Sequence, residues 1–292
     1  MVADDRVLAP ARWVAALIVP VLTAAFVILY GFPGRTRQLW AWAISPSMSA
    51  LTMGAGYLAG AYLFFRAATA REWHRVAVGF LGAWLFATLL GVATVLHWDR
   101  FNHGHVSFWG WLSLYVITPV LLPWLWVVNR RTDPRRPGPH DVIVPRPLRL
   151  LIGTAGLVWL ATALAMFVDP APFAERWPWA LTPLSARSMS AYLAFPALML
   201  AWFLVDERWS SFTIAVETAA LGLALVAVGA FRASGDFGGD GRLPRLPYLL
   251  ALAGALGGLV ALRVGLGPGD PTGRAGAGRA SARRARGGAA RP

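Results

Sequence analysis

The sequence predicts an all-α fold: a polytopic membrane helix bundle of about eight transmembrane helices, arranged as two parallel four-helix repeats. Three observations lead there. Of the 292 residues, 57% are hydrophobic and 14% charged, whereas a soluble domain carries about 25% charged residues; mean hydropathy is +0.53. Apolar runs recur at close to the ~20 residues needed to cross ~30 Å of hydrocarbon. Finally, WAWAISP at residues 40–46 returns as WPWALTP at residues 177–183.

The apolar runs fall at about 12–31, 47–66, 76–96, 109–129, 148–168, 187–205, 212–231 and 247–265. Lipid offers no hydrogen-bond partner to a backbone amide or carbonyl, so each run is expected to be helical. Pro20, Pro119, Pro123 and Pro196 fall within them and should kink their helices or sit near their ends. The first run is long enough to span and is expected to be a retained signal anchor. Trp40, Trp42, Trp98, Trp109, Trp111, Trp177 and Trp179 cluster at one boundary of the stack, and Trp13, Trp73, Trp124, Trp126, Trp202 and Trp209 at the other. This is the pattern of an aromatic belt at the headgroups.

The repeat reaches beyond the heptapeptide. Ser49, Met53, Trp73 and Phe101 answer to Ser185, Met189, Trp209 and Phe237 at a spacing of 136. Each half holds four spans, an even number, so both enter from the same side and their pseudo-axis lies along the membrane normal. The expected organisation is a first repeat over 1–130, a basic cytoplasmic linker over 131–147, a second repeat over 148–265 and an Arg-rich tail over 266–292. The tail is too poor in apolar residues to pack and should be disordered. With the N-terminus inside, 19 of the 27 arginines lie on the inner side. That places both termini in the cytoplasm. All basic residues are arginine, and Ala, Gly and Pro abound, which suggests a GC-rich genome and a bacterial inner membrane. At the Trp-Pro motif and the following Ser-Ala-Arg-Ser-Met stretch (185–189), the chain resembles uncharacterised multi-pass membrane proteins of GC-rich bacteria. The resemblance implies no activity.

Composition and motifs narrow the chemistry. There is no cysteine, so disulfides, thiolate metal sites and cysteine nucleophiles are excluded. No phosphate loop, H-E-x-x-H or G-x-S-x-G is present, leaving ATPase, zincin and serine-hydrolase readings without support. The net charge of +13 points to anionic lipid headgroups, with the tail as the main contact, rather than to nucleic acid. No cofactor is indicated.

Three sets of residues remain. Glu217 sits about seven residues into the seventh run, where a carboxylate is costly unless paired, protonated or hydrated. It is the candidate coupling acid; the alternative is an ion pair with an arginine such as Arg66 or Arg71. Trp40, Trp42 and Pro46, with Trp177, Trp179 and Pro183, could form two aromatic lips around an outer-face groove. The alternative is an interfacial anchor, with each proline in a helix's first turn and Ser45 and Thr182 as caps. His97, Asp99, His103 and His105 carry imidazole and carboxylate groups suited to a divalent metal. The alternative is a hydrated loop, and the matching loop RASGDFGGDG of the second half has no histidine. The charges Arg71, Glu72, Asp206, Glu207 and Arg208 are expected in solvated turns. Gly56-x-x-x-Gly60 and Gly254-x-x-x-Gly258 are possible close-packing faces. The leading function is a binding or transport-type membrane protein with a groove between the repeats. The alternatives are an enzyme acting on a lipid-linked substrate at the outer face, and a non-catalytic scaffold or assembly factor.

Overall fold

The computed structural model describes residues 4–138, 141–238 and 242–266. The expected tail therefore lies, but for its first residue, outside the described residues. Eight helices are long and apolar enough to cross a membrane: α1 (Ala9–Gly31), α2 (Ser47–Thr69), α3 (His74–Leu96), α4 (Val106–Asn129), α5 (Arg146–Val168), α6 (Pro183–Leu204), α7 (Thr213–Arg232) and α8 (Arg245–Gly265). They coincide with the eight apolar runs, and no strand occurs among the described residues. Pro20, Pro119, Pro123 and Pro196 all lie inside helices.

Lipid is as apolar as leucine, so helices associate here through close packing rather than through expulsion of water. The closest pairs are α5 with α6 and α1 with α2, followed by α3 with α6, α3 with α4, and α2 with α7. Helices α2, α3 and α6 are the most buried. Each half thus lends an inner helix to the other: α2 to α7, and α6 to α3. Small residues let the backbones approach. A Cβ on Gly156 of α5 would fall 2.4 Å from the Ala201 amide nitrogen of α6. On Gly56 of α2 it would fall 2.2 Å from Tyr192 Cε1. The second glycine pair behaves differently: Gly254 and Gly258 of α8 have nothing within 4 Å of an added Cβ.

Helix α8 is the loosest element. It packs on α7, and none of its residues is buried. In the first half α1 touches α4; the matching contact between α5 and α8 does not reach even that extent.

At the end of the bundle holding the chain's start, two short straps fold back over the helix ends. Residues 5–7 run antiparallel to 71–73: Val7 N donates to Arg71 O at 3.2 Å, and Trp73 N donates to Asp5 O at 2.6 Å. Residues 142–144 repeat this against 207–209, with Val144 N to Glu207 O and Trp209 N to Val142 O, both 2.9 Å. The linker therefore ends in an ordered strap. Trp73 and Trp209 lie beneath the straps, 1% and 2% exposed, and are not part of a headgroup belt. We call this the strap end and the opposite one the tryptophan end.

Candidate functional site

A cavity of about 700 Å³ runs through the middle of the bundle, and all eight helices line it. Its wall is leucine, alanine, glycine, methionine and aromatic rings, with no charged side chain among the lining residues. The polar groups in the wall are few. Tyr57 and Tyr115 satisfy each other through a hydroxyl–hydroxyl bond of 2.8 Å. Thr118 and Thr218 donate to backbone carbonyls of their own helices. Thr52 Oγ1, Tyr192 Oη and Trp177 Nε1 are buried with no hydrogen-bond partner among the described residues. Buried polar groups normally find a partner, so these three mark where a polar atom of an occupant would be welcome.

The two Trp-Pro segments meet this cavity unequally. Trp42, Phe101 and Trp111 form a triad with centroid separations of 5.0, 4.7 and 6.2 Å. Trp179, Phe237 and Tyr248 form its counterpart at 5.6, 5.6 and 5.5 Å. Trp40, Trp42 and Trp179 are 7%, 4% and 0% exposed. The indoles therefore do not lie flat in the headgroup layer; they plug the core at the tryptophan end. Trp177 and Trp179 line the cavity, whereas Trp40 and Trp42 do not. Only the second pair fits the picture of an aromatic lip. Trp179 Nε1 donates to Ser49 Oγ of the other half at 2.9 Å.

The two prolines also differ. Pro183 opens α6, and Thr182 caps it, accepting from Ser185 N at 3.1 Å. Pro46 follows a cis peptide bond and is itself the N-cap residue of α2, so Ser45 is not the cap. The capping acceptor is Asp236 of the second half, whose Oδ2 takes the Met48 amide at 2.7 Å. A carboxylate suits the positive end of a helix.

Glu217 lies outside the cavity wall, one turn into α7 near the strap end. Its Oε2 pairs with Arg66 of α2 and accepts from Tyr62 Oη at 2.7 Å. Its Oε1 stands 3.7 Å from Arg263 Nη2 of α8. The expected arginine partner is there, and a second arginine joins it. Glu217 is thus the charged tie between the inner pair α2–α7 and the loose helix α8.

The histidine group does not converge. His97 Nε2 meets Arg187 Nη1 at 2.9 Å. Its burial, with the charges of Arg187 and Arg100, lowers its pKa and favours the neutral ring that accepts from the guanidinium. The His103 ring lies against Trp98 and Phe108. His105 Nδ1 caps α4, accepting from Ser107 N at 3.2 Å. No three His, Cys, Asp or Glu side chains gather into a metal-binding group among the described residues. The metal set expected of His97, Asp99, His103 and His105 therefore has no geometry to support it.

The strap end holds polar groups expected from the sequence in solvated turns. Arg208 is 5% exposed. Its guanidinium forms two bonds with Asp133, at 2.9 and 3.0 Å, and reaches Asp206 at 2.8 Å. Burial works against the charge, but these carboxylates outweigh it and raise the Arg208 pKa. Asp206 is held below its usual value in the same way: burial raises it, and the bonds and charge of Arg208 with the bond from Ser211 outweigh that.

Beside this cluster the two halves touch through four side chains. Asp5 pairs with His74 Nδ1, and His74 Nε2 lies 2.9 Å from Ser210 Oγ. Ser210 donates in turn to Asp141. His74 answers to Ser210 at the repeat spacing of 136, whereas the strap hydrogen bonds set Asp5 against Val142, one residue beyond Asp141. The order Asp–His–Ser resembles a hydrolytic triad, but the protons run the other way. Ser210 gives its one hydrogen to a carboxylate, so His74 Nε2 must be the donor to Ser210 Oγ. A ring nitrogen that donates cannot act as the base that activates that serine. Burial tends to raise the Asp141 pKa; the Ser210 hydroxyl, the Gly138 amide and the charges of His74 and Arg208 together lower it.

No family model, curated protein or solved structure matches this chain.

Proposed function

We propose that this protein is a membrane-embedded binding protein of the transport type, whose ligand occupies the central cavity between two duplicated four-helix halves. The observation that carries the reading is the cavity itself: all eight helices build it, and its volume falls in the usual range for ligand pockets. The matched triads and matched straps support duplication, with a first repeat over 1–130 and a second that takes in the strap at 142–144 ahead of its helices over 148–265. The all-arginine composition rich in Ala, Gly and Pro supports a bacterial inner membrane, and the arginine balance supports the strap end in the cytoplasm, where the Arg-rich tail would meet anionic lipid.

Native mass spectrometry of the purified protein tests this. We expect a small apolar molecule to be retained at about one per chain. Ala155 and Ala255 line the cavity from α5 and α8, and both are exposed to it or to lipid. Ala155→Phe and Ala255→Phe should therefore insert normally and lower occupancy at least tenfold. Protein that carries nothing from membrane extracts, or variants that retain as much as the parent chain, would overturn the reading.

Glu217 acts in this proposal as a gating acid. Glu217→Gln removes the charge that draws Arg263, and so frees the end of α8. Ligand exchange in vesicles should speed up several-fold while membrane insertion is unchanged. An unchanged exchange rate would remove Glu217 from the mechanism.

A further inference from the structure

We infer that the cavity takes one long hydrocarbon chain with a single neutral hydrogen-bonding headgroup, admitted sideways from the lipid between α5 and α8. This rests on the cavity being a binding site, as proposed above.

Shape comes first. Tyr248 and Leu262 of α8 both line the cavity; the fourteen steps between them span roughly 21 Å at ~1.5 Å per residue. That exceeds half of a ~30 Å hydrocarbon core. Such a slot suits an extended chain and would leave a compact solute poorly contacted. Charge comes second. With no charged side chain in the wall, an ionic headgroup would be buried unpaired, at a cost that apolar contacts do not offset.

Polarity then sets the direction. The three unpartnered groups, Thr52 Oγ1, Tyr192 Oη and Trp177 Nε1, come from the first turns of α2, the middle of α6 and the segment before α6. Thr52 and Trp177 lie toward the tryptophan end, and Tyr192 lies midway between the ends. Phe212 and Leu262, at the other end of the wall, offer only carbon. The headgroup therefore points to the tryptophan end and the chain tail to the strap end. The route follows from exposure. Leu151 and Ala155 of α5 and Ala251 and Ala255 of α8 line the cavity and are all exposed, α5 and α8 touch less than α1 and α4 do, and Gly254, Gly257 and Gly258 face open space.

The test is photolabelling of the full chain in vesicles with diazirine-bearing probes: a long-chain alcohol, its short-chain homologue, the matching long-chain alkane and a long-chain quaternary ammonium. The long alcohol should label peptides of α5, α6 and α8 at least tenfold more than the short alcohol or the cation. Tyr192→Phe combined with Thr52→Val should cut labelling by the alcohol about five- to tenfold and leave labelling by the alkane unchanged. The chain has no cysteine, so Ala155→Cys and Ala255→Cys introduce its only thiols, and bismaleimides of increasing length are used to find one that bridges them. Bridging before the probe is added should slow labelling at least tenfold, whereas capping either cysteine alone should not. Equal labelling by the short or cationic probe would overturn the ligand class, and labelling unaffected by the bridge would overturn the lateral route. Should no probe label the cavity and Ala155→Phe change nothing, it is the binding function itself that fails.

Discussion

Replacing Arg208 with alanine is expected to destabilise the protein by about 3–5 kcal/mol, the cost of breaking a buried ion pair from one side. The reason lies in what stays behind. Asp133 and Asp206 each have side chains only 13% exposed, and both lose their principal counter-charge. Asp206 keeps bonds from Ser211 Oγ at 2.8 Å and from the residue 208 amide at 2.9 Å; Asp133 keeps the single bond from the Arg135 amide at 2.8 Å. The arginine also ties two chain segments together, since Asp133 comes from the linker and Asp206 from the same turn after α6 as Arg208 itself. Thermal unfolding in detergent, followed by tryptophan fluorescence, measures the loss. Adding Asp133→Asn and Asp206→Asn to Arg208→Ala should restore part of the stability, because neutral amides need no counter-ion. A melting curve for Arg208→Ala indistinguishable from that of the parent chain would show that water, not the arginine, satisfies those carboxylates.

The same residue shows where sequence reading stops. The eight helices are legible because hydropathy and the ban on unpaired backbone in lipid act locally; every helix boundary falls within four residues of the apolar run that announces it. The partner of Glu217 is legible too, since a carboxylate near a helix end among arginines has few other outcomes. Burial of Arg208 is not. A charged residue in a short turn normally faces water, and only the fold-back of residues 142–144 over the turn reverses that. The tryptophans mislead for a similar reason. An indole near a helix end can anchor in headgroups or pack on a neighbour, and the choice for Trp42 depends on Phe101 and Trp111 arriving from other segments. One sequence signal does point to the strap end. The repeat spacing of 136 pairs His74 with Ser210, and so singles out those two by position alone.

Replacing His74 with alanine is the second large effect expected, about 2–4 kcal/mol, from two hydrogen bonds made by charged or polar partners in a buried place. His74 is 6% exposed and the Asp5 side chain 15%, so water cannot fully replace the ring for that carboxylate. What distinguishes His74 from Arg208 is direction. Arg208 ties the linker to the second half, whereas His74 ties the first half to the second through Ser210, at matching positions of the two repeats. A double-mutant cycle separates the two bonds. His74→Ala with Ser210→Ala should show a coupling of about 1 kcal/mol, the share that crosses between halves. His74→Ala with Asp5→Asn should show more, because that bond carries charge. If the His74–Ser210 coupling were zero, the two halves would be held by α2–α7 and α3–α6 packing and by their other polar ties, Arg66 with Glu217, Trp179 with Ser49 and Asp236 with the Met48 amide. The polar junction would then serve each strap separately. A finite coupling makes it a polar side-chain contact through which the straps of the two halves sense each other, and so the place where loosening one half would be felt by the strap of the other.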